Sequence, residues 1–146
     1  MRKAASLLVL LAACAEPPKT GQMDHVITGL AHLHSWNPEQ QAEGQYGYDA
    51  VIGRIPDILP LLVNHLTDPT PTAIYDDLSG RNPTVGDVCF LILLRAMNLR
   101  WQDFADDGVF LSTALPNPIF CIRWDDPVAK RRVQQRFRQL LPESGK

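Results

Sequence analysis

The chain has 146 residues, 45% of them hydrophobic and 21% charged, with a net charge of −2. That length fits one domain, and that composition is ordinary for a globular protein. A slightly acidic balance, with a pI near 6.0, excludes a general attraction to nucleic acid.

The N-terminus opens with a basic pair, Arg2 and Lys3. A short apolar stretch follows from Ala4 to Ala13, carrying Leu7, Leu8, Val9, Leu10 and Leu11. Basic, apolar and small-residue regions in this order are the plan of an export signal. The run Leu11-Ala12-Ala13-Cys14 closes it. This run resembles the lipobox of bacterial lipoprotein precursors. The resemblance implies that residues 1–13 are removed and that Cys14 becomes an acylated first residue. It also implies anchoring through acyl chains rather than a spanning helix. Ala15, in place of the Asp that retains such proteins in the inner membrane, implies the periplasmic face of the outer membrane. An ordinary secretory signal cut near Ala13 or Ala15 would export the chain as well. Removing Arg2 and Lys3 leaves 12 basic against 16 acidic residues, a mature charge of −4.

Residues 14–22 read as the lipidated Cys and a tether, since Pro17, Pro18 and Gly21 favour an unpacked chain. A helical domain is expected over 23–142, with 143–146 as a disordered tail. Asp24 suits an N-cap for a helix from His25 to about His34, with Val26, Ile27, Leu30, Ala31 and Leu33 on its apolar stripe. Asn37-Pro38 stops it, and Glu39 to Tyr48 reads as a polar loop. Asp49 caps a short helix, Ala50 to Ile55. Pro56 belongs at the first turn of the next element, and Pro60 must lie near a first turn too, because mid-helix it costs about 3 kcal/mol. Ile58, Leu59, Leu61, Leu62, Val63 and Leu66 give that helix a wide apolar face, ended by Asp68-Pro69. Ala73 to Tyr75 fits a short strand in the polar connection that follows.

Thr84 to Met97 is the most apolar stretch of the expected domain, with Arg95 as the charge in its body. Thr84 and Asp87 have the spacing of a capping box. A helix apolar all round is buried all round, so 85–97 should be the central core helix. It is too short to cross a bilayer, which needs roughly 20 residues. Trp101 and Phe104 fit a helical turn over its end, and Asp106-Asp107-Gly108 a tight turn. The region 109–124 suits a small hairpin or an extended strap, bent at Pro116-Asn117-Pro118. Asp126-Pro127 is an N-cap and N1 pair for a last helix. Its stripe is Val128, Val133, Phe137, Leu140 and Leu141, and its other sides carry Lys130, Arg131, Arg132, Arg136 and Arg138.

Ile55-Pro-Asp-Ile-Leu-Pro followed by its Leu-rich run resembles the second helix of a HEAT-type repeat. Thr84-Val-Gly-Asp-Val with its apolar helix resembles the first helix of the next one. The resemblance implies a mainly α, small single-domain bundle with HEAT-like packing and a role in binding proteins.

Chemistry-bearing residues are sparse. His25 and His32 lie about 10 Å apart along a helix, too far for one metal ion, and His32 and His34 point to different sides. No metal site and no cofactor is expected. Cys89 and Cys121 fit either a disulfide, adding roughly 3–4 kcal/mol, or two small buried hydrophobes. Asp76-Asp77, Asp106-Asp107 and Asp125-Asp126 are explained by turns and a cap. No catalytic motif is found, so no enzymatic activity is expected. Lys130, Arg131, Arg132 and Arg136 are the candidate interaction surface. The expected role is a lipid-anchored envelope protein that binds another envelope protein as an accessory or adaptor. The alternative is a periplasmic inhibitor, such as an immunity protein against a toxin. An envelope hydrolase is the third reading, which a cleft lined by His65 with Asp76 or Asp77 would favour.

Overall fold

The computed structural model describes residues 20–33, 45–75, 82–109 and 126–141. Five α-helices run through them: α1 (Thr20–Thr28), α2 (Gln45–Ile52), α3 (Leu59–Asn64), α4 (Val85–Ala96) and α5 (Pro127–Leu140). Short 3-10 turns extend α1 over Gly29–His32 and α3 over His65–Thr67, and a longer one covers Trp101–Asp107. The protein is a small, mainly helical domain built around α4. An isolated antiparallel β-bridge joins Pro71 to Thr84.

Helix α4 is the central element because its sequence leaves it no polar side. Every residue from Val85 to Leu94 is buried. Its N-terminus is fully bonded. The Thr84 hydroxyl accepts from the Asp87 N–H at 3.2 Å, and the Thr84 N–H donates to the Asp87 carboxylate at 2.8 Å. The two preceding helix N–H groups are bonded from outside: Val85 to the Thr70 carbonyl at 2.8 Å and Gly86 to the Asp68 carbonyl at 3.2 Å. Donors that a helix start normally leaves orphaned are thus taken up by the passing chain. The C-terminus closes in a Schellman arrangement, with Asn98 at φ 52°, Leu99 N–H on the Leu94 carbonyl at 2.9 Å and Asn98 N–H on Arg95 at 3.3 Å.

Helix α3 and its 3-10 extension pack on α4, and α5 packs on both that extension and the Trp101–Asp107 turn. Close approach depends on Gly86: a Cβ there would sit 2.5 Å from the Leu66 carbonyl oxygen. At the other end Phe90, Phe104 and Phe137 bring α4, the 3-10 turn and α5 together. Phe104 and Phe137 stack at 4.6 Å, and Phe90 meets them edge-on at 5.7 and 6.0 Å. Gln134 reaches across from α5 and donates to the last carbonyls of α3, Val63 at 2.9 Å and Asn64 at 3.0 Å.

Several local expectations are corrected. Helix α1 starts at Thr20, inside the stretch read as tether, so Asp24 is a mid-helix residue and not a cap. Its carboxylate goes to His65 instead. Helix α2 starts at Gln45, within the expected polar loop, and ends at Ile52. Pro56 therefore lies in the turn between α2 and α3, while Pro60 is in the first turn of α3 as expected. Ala73 to Tyr75 forms no strand. Tertiary bonds hold it there as an irregular strap: Ala73 N–H donates to Ala31 at 2.9 Å, and Thr72 N–H to Pro83 at 2.8 Å. Val128 and Leu140, expected on the apolar stripe of α5, are exposed. The hairpin or strap near 109–124 falls almost wholly on residues 110–125, outside those described, as do Cys14, His34, Asp76, Asp77, Cys121 and Trp124.

Candidate functional site

Helix α5 begins on a sound cap, Asp126, whose carboxylate accepts from the N–H groups of Val128 at 2.9 Å and Ala129 at 3.0 Å. It then alternates between two faces. Ala129, Lys130, Val133, Gln134 and Phe137 turn inward. Arg131, Arg132, Gln135, Arg138 and Gln139 are exposed, and Arg136 is half-buried.

Lys130 thereby leaves the expected interaction surface. It is 6% exposed, because it shares the face of Val133, Gln134 and Phe137 and points at the N-terminus of α4. Its Nζ lies 3.3 Å from the Asp87 Oδ1 and 3.2 Å from the Thr84 hydroxyl. Burial pushes the Asp87 carboxyl up, while Lys130 and the Thr84 donors pull it down. This node pins α5 to α4. Its partners are buried.

The other basic residues remain outside. Arg136 donates to Asp107 at 2.8 Å and lies over the Phe104 ring at 5.1 Å. Arg132 runs beside the same turn: a Cβ on Gly108 (φ 95°) would come within 3.4 Å of its Nη2. Arg138 reaches the Asn64 side chain at 3.5 Å. Asp107, Arg132, Gln135, Arg136 and Gln139 together line a groove of about 320 Å³ between α5 and the Trp101–Asp107 turn. The two glutamines were not anticipated. The signal was present as a repeat of four, Arg132 with Arg136 and Gln135 with Gln139, which puts each pair on one side of a helix.

The remaining titratable groups sit elsewhere. His65 stands between two carboxylates, Nε2 at 3.2 Å from Asp24 and Nδ1 at 3.1 Å from Asp68. It joins α1 to the end of α3. Asp68 also accepts from the Thr70 N–H at 2.9 Å. Burial pushes its carboxyl up, but Thr70 and His65 outweigh this and hold it below the usual value. His25 and His32 are exposed. The Cys89 thiol is fully buried, and burial with the nearby charges of Asp68 and Asp87 pushes it well above the ordinary thiol range. Among the described residues no group of three His, Cys, Asp or Glu side chains is placed to hold a metal ion, and no helix is long and apolar enough to cross a membrane. No family model, no curated protein and no solved structure matches the chain.

Proposed function

We propose that this chain is a lipid-anchored protein of the bacterial cell envelope whose helical domain binds another envelope protein as an accessory or adaptor. The anchor is Cys14, held at the membrane by its acyl chains after removal of residues 1–13. The reading of export and acylation rests on Arg2, Lys3, the apolar stretch and Leu11-Ala12-Ala13-Cys14.

One observation carries the binding role. Helix α5 holds five cations and no carboxylate, yet the core takes only Lys130. Arg131, Arg132 and Arg138 face outward on a chain whose net charge is negative. A concentrated basic face on an acidic protein supports recognition of a partner of opposite charge, and such faces steer association.

The test is an affinity pull-down of the acylated chain from solubilised envelopes, read by mass spectrometry against Cys14→Ala. A stoichiometric protein partner, reduced without the anchor, is the expected result. Labelling with an alkyne fatty acid should mark the wild-type chain and spare Cys14→Ala. If no protein comes down at any salt, the adaptor role is refuted and inhibition of a toxin absent from the growing cell takes its place. Export of an unlabelled wild-type chain refutes the anchor.

A further inference from the structure

We infer that the groove between α5 and the Trp101–Asp107 turn is a carboxylate-recognition site whose occupant is an acidic peptide segment of a partner protein. This rests on the protein-binding reading above and names the chemistry of the partner.

The groove has one donor already in place. Arg136 is fixed by the Asp107 carboxylate at 2.8 Å and by the Phe104 ring beneath it at 5.1 Å. Arg132, four residues earlier, lies over Gly108 on the same wall. Asp107 already offsets the charge of Arg136, so an incoming anion gains chiefly from Arg132. A guanidinium edge presents parallel N–H groups that match both oxygens of a carboxylate. Holding such side chains in advance lowers the entropy lost when the anion arrives.

Two features fit a short peptide segment. Gln135 and Gln139 both line the groove, and each amide donates as well as accepts. A peptide backbone uses both; a fully deprotonated anion accepts only. The volume of about 320 Å³ is at the small end for ligand sites, room for one or two side chains rather than a large molecule.

The experiment titrates a fluorescein-labelled hexaglutamate peptide with the full acylated chain in detergent and follows anisotropy. Saturable binding is expected that weakens as salt rises. Arg132→Gln should weaken it about tenfold, the loss of one charge-assisted contact. Gln135→Ala with Gln139→Ala should weaken it several-fold, and Arg131→Gln, outside the groove, by less than twofold. These residues are exposed, so far-UV circular dichroism melts should match the wild type. The inference is overturned if hexaglutamine binds as well, if Arg131→Gln costs as much as Arg132→Gln, or if equimolar inorganic phosphate displaces the peptide. It is also overturned if phosphatidylglycerol vesicles, and not the peptide, bind in an Arg132-dependent way. A pull-down partner still captured by Arg132→Gln while hexaglutamate fails to bind removes the groove assignment and leaves the adaptor reading intact. Hexaglutamate binding with no partner recovered does the reverse.

Discussion

Replacing Gly86 by Ala separates two kinds of reasoning. Within an isolated helix the change is favourable, by up to about 1 kcal/mol. In the folded protein the new Cβ would lie 2.5 Å from the Leu66 carbonyl oxygen, 3.0 Å from the Leu66 carbonyl carbon and 3.1 Å from the Asp68 oxygen. Ordinary contact begins near 3.4 Å, so α4 and the 3-10 turn after α3 must separate by up to 0.9 Å. All three atoms are backbone, and none can rotate away. Overpacking of this kind costs about 1–3 kcal/mol. The Gly86 N–H bond to the Asp68 carbonyl, already 3.2 Å, lengthens further, at a cost of about 1 kcal/mol. After subtracting the helix gain, Gly86→Ala should destabilise the domain by about 1–3 kcal/mol. At roughly 4 °C per kcal/mol for a domain of this size, Tm falls by about 4–12 °C. Thermal and urea unfolding, followed by far-UV circular dichroism, measure it. A Tm equal to or above that of the wild type would refute the close approach of the two elements.

Three further outcomes follow from the same contacts. Lys130→Met leaves the Asp87 carboxylate buried beside an apolar chain, and urea titration should show a loss of about 3 kcal/mol; Lys130→Met with Asp87→Asn should recover more than half of it. Asp68 has its folded pKa lowered, so its contribution is complete above the unfolded value of about 3.8 and disappears as pH falls through the folded one. Between pH 6 and pH 3 the wild-type Tm should therefore drop more steeply than that of Asp68→Asn, and parallel curves would show that Thr70 and His65 do not hold the charge. Asn98 has φ 52°, so Asn98→Val should cost about 1–2 kcal/mol in a thermal melt while Asn98→Gly stays within about 0.5 kcal/mol of wild type.

Elements with a local cause were legible in the chain itself. Thr84 with Asp87, Asp126 with Pro127, and Pro60 in a first turn place helix ends through bonds made within three or four residues. The uninterrupted apolar run after Thr84 made α4 the core, because such a helix has no side it can leave in water. The basic content of α5 was equally plain, and so was the turn at Gly108. Tertiary structure alone decided which polar groups work inside and which face outward. Lys130 and Arg131 are neighbours of like charge, yet a rotation of one residue turns Lys130 onto Asp87 of α4 and leaves Arg131 in solvent. Asp24 looked like a cap, and it partners His65, 41 residues away. Gln134 carries no local signal of burial, and it caps carbonyls about 70 residues distant. Gly86 gives no local hint of its role. In each case the partner comes from another element, and its position is fixed only when the helices pack.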